Sequence, residues 1–91
     1  MLYFQAMQKY ELTIVLDPKA TASKKKAAGE MVEKVVSISK GKVGKIEDWG
    51  AKAAGIYLHF PLELTGQGAK ALLAKVAVEN DIKKYLLMKA K

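Results

Sequence analysis

Apolar residues in this chain recur with two different periods, and the order in which the periods alternate limits the fold more than any other feature. Tyr10-Glu11-Leu12-Thr13-Ile14-Val15-Leu16 alternates with period two, which puts Leu12, Ile14 and Leu16 on one side of a strand. Asp17-Pro18 ends it, because proline lacks a backbone donor and favours a turn. Lys24 to Ser39 then carries Ala28, Met31, Val32, Val35 and Val36 at helical spacing, with Thr21 or Ser23 as the N-cap and Gly41 as the stop. Val43 to Trp49 reads as a second strand, in which a bulge near Gly44 reconciles Val43 and Ile46 with a single face. Ile56-Tyr57-Leu58-His59-Phe60 is the clearest strand in the chain, and Pro61 closes it. Thr65 caps a second helix whose stripe is Ala69, Leu72, Leu73, Val76 and Ala77, with Asn80-Asp81 as its end. Ile82 to Ala90 forms the last strand, with Leu86 and Met88 on one face and Tyr85 and Leu87 on the other.

The order strand, helix, strand, strand, helix, strand predicts an α+β fold of the ferredoxin-like split β-α-β type (βαββαβ). Its four-stranded antiparallel sheet carries both helices on one face. A chain of 91 residues supports one thin two-layer core, not a deep cleft between lobes. The other face of the sheet stays open, and its expected residues are Thr13, Tyr57, His59, Tyr85 and Leu87. That set is more apolar than water alone favours, so something covers part of it.

Charge narrows the partner. The formal net charge is +7, and all 16 basic residues are lysine, with no arginine anywhere. Lysine acts as a mobile point charge, whereas bidentate forks to phosphate or guanine are an arginine speciality, so contacts to a polyanion should favour backbone over base. An arginine clamp is excluded, and the absence of cysteine removes thiolate metal sites, disulfides and thiol nucleophiles. No apolar run approaches membrane-spanning length, and no charged-then-apolar leader opens the chain, so a soluble protein is expected. Leu2-Tyr3-Phe4-Gln5 matches part of a protease-cleavage tag, so residues 1–6 are read as a tag remnant and 7–91 as a single domain.

Single residues offer little chemistry. The sole histidine, His59, has no second ligand or nucleophile in view and reads as a sheet-face residue, not a catalyst. Trp49 either caps the edge of the core or anchors an interface. Glu47 and Asp48 point to opposite sides of a regular strand and make a poor acid–base pair. The triplet Lys24-Lys25-Lys26 sits in the first helical turn, against the helix dipole, so either solvent tolerates it or an anion needs it. Ala54-Gly55-Ile56-Tyr57-Leu58-His59-Phe60 lacks the full aromatic signature of an RNA-stacking strand. Lysines gather along the two edge strands, where they also deter unwanted edge pairing.

Met7-Gln8-Lys9-Tyr10-Glu11, Ile14-Val15-Leu16-Asp17-Pro18, Gly41-Lys42-Val43, Glu47-Asp48-Trp49-Gly50 and Asn80-Asp81-Ile82-Lys83-Lys84-Tyr85-Leu86 together resemble the bacterial small-subunit ribosomal protein six family, in order from Met7 to Lys89. The resemblance implies a structural constituent of the small subunit in the cytoplasm, without enzyme activity, cofactor, metal or membrane. It implies binding to the central domain of 16S ribosomal RNA together with ribosomal protein eighteen, by a chain that is monomeric in isolation. With the clustering of charge, it assigns Lys9, Lys42, Lys45, Lys52, Lys83, Lys84 and Lys89 to phosphates, and Trp49, Tyr57, Tyr85 and Leu87 to a protein partner. The chain departs from the family where only Ala51-Lys52-Ala53-Ala54 follows the Trp-Gly pair. Strand two is then expected to be cut short, and the shortfall reads as a missing mobile segment in preference to a deletion. A protein–protein interaction domain of the same fold, solubilised by its lysines, is the alternative function, and a ferredoxin-like hydrolase is a remote third.

Overall fold

The structure is a computed structural model that describes residues 7–53 and 55–90; the tag reading of residues 1–6 lies outside the described residues. Seven elements follow in order: β1 (Gln8–Leu16), α1 (Ala22–Ile38), β2 (Lys42–Val43), β3 (Glu47–Lys52), β4 (Gly55–Leu64), α2 (Gly66–Ala77) and β5 (Ile82–Lys89). The sheet runs β2-β4-β1-β5, with β3 also paired to β4 and every pairing antiparallel. The single second strand expected from sequence is thus two short strands end to end along β4, and the sheet has five strands.

β4 also runs further than expected, through Pro61 to Leu64. The Pro61 carbonyl accepts the Gly44 N–H at 2.7 Å, so the proline's donorless nitrogen faces the same edge, at the interruption between β2 and β3 where no ladder bond is required. This is why a proline sits inside an inner strand. Nor is β3 cut short. It continues to Lys52, which pairs with Gly55. A Cβ at Gly55 would collide with the Leu16 carbonyl, and its φ of +148° is also reserved for glycine.

The helices begin where hydroxyl caps direct. Thr21 Oγ1 accepts from Lys24 N at 3.2 Å and Thr65 Oγ1 from Gly68 N at 3.1 Å. Carboxylates from outside the helix answer the lysine triplet, since Lys24 pairs with Asp81 at 3.4 Å and Lys25 with Asp48 at 3.0 Å. Between helices and sheet lies the core of Leu12, Ile14, Leu16, Val32, Val36, Leu58, Phe60, Leu64, Leu72 and Val76. The alternation read in β1 and at the start of β4 therefore points as expected. In α2, Leu73 is half-buried and Ala77 exposed; the helix ends at Ala77, before Asn80-Asp81.

The end of α1 differs from the sequence reading in one residue. Gly41 N–H donates to Val36 O at 2.8 Å and Lys40 N–H to Ser37 O at 2.9 Å, the paired bonds of a left-handed helix stop. The left-handed residue is Lys40, with φ of 60°, and not the glycine. Gly41 is small for another reason: a Cβ there would run into the Glu63 carbonyl and lie 2.6 Å from Leu64 Cδ2. Lys40→Gly is accordingly expected to stabilise the chain by about 1 kcal/mol, and Gly41→Ala to destabilise it by about 1–3 kcal/mol, both measured by urea denaturation.

Candidate binding surface on the open sheet face

Register decides which side chains the helix-free face presents. Thr13 lies opposite His59 and Val15 opposite Tyr57, all four pointing away from the helices, as the alternation of β1 and β4 requires. On the other side of β1, Thr13 faces Leu86, Glu11 faces Met88 and Val15 faces Lys84, while Leu12 faces Leu87 and Ile14 faces Tyr85. Directly opposed residues share a face. Leu86 and Met88 are therefore on the open face, 57% and 56% exposed, whereas Tyr85 and Leu87 are on the helix side. This corrects the expected face of both residues; Leu87 packs against the core, and Tyr85 is exposed beyond it.

The cause is one extra residue. Leu16 pairs with Ile82 but Val15 with Lys84, so Lys83 is inserted as a bulge, and each later side chain of β5 swaps faces relative to unbroken alternation from Ile82. Unbroken alternation would instead place Leu86 and Met88 on the helix side. A run of two lysines before the apolar residues is the only signal in the sequence that could have marked the insertion.

A second bulge organises the opposite edge. Glu47 pairs with His59 and Asp48 with Leu58, yet Gly50 pairs with Tyr57, leaving Trp49 as the inserted residue. Asp48 Oδ1 accepts the Gly50 N–H at 2.8 Å, and Gly50 takes φ of +83°, where a side chain would be strained. Its other oxygen takes the Lys25 ammonium from α1. Trp49 is thereby laid over His59, with ring centroids 4.6 Å apart and planes 12° from parallel, and its Nε1 donates to Glu47 Oε1 at 3.3 Å. Of the two roles left open for Trp49, capping the core edge is ruled out, because the ring lies on the far side of the sheet from the helices. Glu47 and Asp48 do point to opposite sides.

His59 is only 8% exposed and forms the floor of this arrangement. Its Nε2 lies 3.1 Å from Glu11 Oε1, and its Nδ1 3.3 Å from Thr13 Oγ1. Both ring nitrogens are thus engaged in structure and not aimed at a substrate.

The seven expected phosphate lysines do not form one cluster. Lys9 and Lys42 flank Glu63 in a single row across β1, β4 and β2, and a cleft of about 470 Å³ at this end of the sheet is lined by all three together with Tyr10, Val43 and Pro61. Lys45 lies exposed in the break between β2 and β3. Lys52 and Lys84 are on the open face at the other end of the sheet. Lys89 faces the helix side opposite Tyr10, and Lys83 pairs with Asp17 at 3.5 Å. Among the described residues Lys83 alone of the seven has an ion pair.

With this geometry in hand, the chain can be set beside known proteins. The family model described as ribosomal protein S6 matches residues 9–89. The chain belongs to the ribosomal protein S6 family. The small ribosomal subunit protein bS6 of Pelagibacter ubique (strain HTCC1062) is 28% identical over 94 residues, covering 93% of this chain and 78% of that protein. The crystal structure of 30S ribosomal protein S6 from Thermotoga maritima superposes with a TM-score of 0.81 at 21% identity, covering 93% of this chain and 89% of the other. The C-terminal domain of the MgtC protein from Mycobacterium tuberculosis reaches 0.71 at 15% identity, covering 98% and 94%. These two structural likenesses speak for the fold alone. Membership of the S6 family gives the chain a structural role in the small ribosomal subunit in the cytoplasm, not a catalytic one. No helix among the described residues is long and apolar enough to cross a membrane.

The stretch Glu47-Asp48-Trp49-Gly50 carries a measurable electrostatic signature. The Lys25 ammonium, helped by the Gly50 N–H, holds the Asp48 carboxyl below the ordinary carboxylate value. A carboxyl depressed on folding contributes stability above its unfolded value and loses it as pH falls through the folded one. Lys25→Ala should therefore raise the Asp48 titration midpoint toward the ordinary value in a carboxyl-detected NMR pH series. The change in overall stability should be small, because the pair is exposed.

Proposed function

We propose that this chain binds the central domain of 16S ribosomal RNA cooperatively with ribosomal protein eighteen. The observation that carries the reading is the make-up of the open face: Trp49 on the β3 edge and Leu86 and Met88 on the β5 edge are exposed, and unpaired lysines lie toward both ends of the strands. Lys9, Lys42 and Lys45 at one end and Lys52 and Lys84 at the other would neutralise phosphates, with Lys83 and Lys89 reinforcing them along β5. Trp49, Tyr57, Leu86 and Met88 would meet the protein partner. Tyr85 would join them from the β5 edge, and Leu87 would support that strand from beneath.

Joint binding follows from the chemistry of the surface. Ammonium groups reach phosphates without reading bases, so this chain alone has little discrimination. A partner laid over the sheet adds apolar area and fixes register on the RNA. The isolated chain would be a monomer, since copies carrying a formal charge of +7 repel one another.

Titration of 16S central-domain RNA at several salt concentrations, with and without protein eighteen, tests the reading. Tighter binding with the partner is expected, and equal affinity in the two series would defeat the cooperative account. If about five lysines contact phosphates, log affinity should fall with log salt with a slope near about −4. Leu86→Ser combined with Met88→Ser should reduce the partner's contribution by about tenfold or more and leave the slope for RNA alone unchanged.

A further inference from the structure

Part-way along the strands, between the lysines toward either end, the β3–β4–β1 side of the open face carries acidic groups. Glu47 sits beside Trp49 and Glu11 beside His59, in a chain whose lysines outnumber its acids 16 to 9. Among the described residues, Lys25 is the one lysine paired with an acid of the stretch Glu47-Asp48-Trp49-Gly50, and Asp48 holds it on the helix side. Local acidity in a basic protein therefore coincides with its most prominent exposed aromatic ring.

Trp49 is held before any ligand arrives. One indole face rests on the His59 ring, His59 is fixed by Glu11 and Thr13, and the Nε1 proton is spent on Glu47. With the residue still 46% exposed, the indole's second face is turned to solvent. A ring immobilised from beneath loses little rotamer freedom on binding, and tryptophan is prominent among residues that dominate interface energetics. Its π face attracts cations, and a planar guanidinium stacks on it while reaching a neighbouring carboxylate. A nucleobase could stack there too, but its phosphates would then approach Glu47 and Glu11.

We propose that Trp49 and Glu47 form a receptor for an arginine side chain of the protein that covers this sheet, with His59, Glu11 and Thr13 as its support. The proposal rests on the reading that a protein partner docks on the open face, and it adds the chemistry that face selects. A second copy of this chain cannot fill the receptor, because the sequence contains no arginine. The occupant is therefore a different, arginine-bearing protein, and its guanidinium meets these acidic groups while RNA phosphates meet the lysines toward either end.

The test uses ribosomal protein eighteen labelled with ¹⁵N-arginine and titrated with the full chain. At least one arginine Nε–H resonance should move upfield under the indole ring current, and the Trp49 indole N–H should shift with it. Trp49→Leu should abolish the arginine shift and weaken binding about tenfold. Glu47→Gln, which leaves the ring in place, should weaken it about three- to tenfold with a reduced salt dependence. If protein eighteen binds but no arginine resonance moves, or if both variants bind as tightly as the parent, the receptor is overturned and the docking reading survives. Failure of protein eighteen to bind the parent chain at all, with or without RNA, overturns both. If RNA alone shifts the indole N–H and Trp49→Leu weakens RNA binding without the partner, the ring is a base platform and the arginine assignment falls.

Discussion

A pleated strand has a period of two, so inserting one residue exchanges the faces of everything beyond it. This sheet depends on that constraint at both edges. β1, with Leu12, Ile14 and Leu16 fully buried, fixes which side belongs to the helices. Its neighbours must match it pair by pair. On β5 the insertion of Lys83 turns Leu86 and Met88 outward and brings Leu87 onto the core. On the other edge the insertion of Trp49 lays an indole over a buried imidazole. Both insertions act on the same face, and between them they decide what a partner would meet.

Much of the fold was legible because it follows from local physics. The alternation of strands and helices apart from the split second strand, the cap at Thr65, one of the two candidates for the first cap, the inward faces of β1 and β4 and the opposed directions of Glu47 and Asp48 all come from periodicity or side-chain hydrogen bonding within a few residues. The misreadings share the opposite character. Pro61 lies inside a strand because the neighbouring edge is interrupted beside it, a fact about Gly44 some way back in the chain. Gly41 is required by the Glu63 carbonyl, not by its own backbone angle, and Lys40 takes the left-handed conformation instead. Tyr85 and Leu87 lie on the helix side because of the pairing of Leu16 with Ile82, of which the neighbouring sequence holds no sign beyond the paired lysines Lys83 and Lys84. The open face was half legible: Thr13, Tyr57 and His59 lie on it as expected, while Leu86 and Met88 emerge only from the register.

The fold itself is indifferent to function. A similar arrangement serves an S6 protein and a domain of MgtC, so what distinguishes this chain must reside on its surface. There the division of labour follows side-chain chemistry. Lysine supplies charge toward the ends of the open face without geometry, while its β3–β4–β1 side combines an immobilised aromatic ring with carboxylates. A surface sorted in this way can receive a nucleic acid and a protein side by side without either competing for the other's contacts.

The placement of β1 also bears on how such a chain comes into being. Its two ladder partners are β4 and β5, which lie well downstream in the sequence, so β1 stays without a neighbour until the chain through β4 has emerged. Non-local pairing of this kind carries a large loop-closure cost before it is rewarded and slows folding. Assembly of the sheet is therefore a late and concerted event, and a nascent fragment that stops short of Gly55 has no ladder with which to shield Leu12, Ile14 and Leu16.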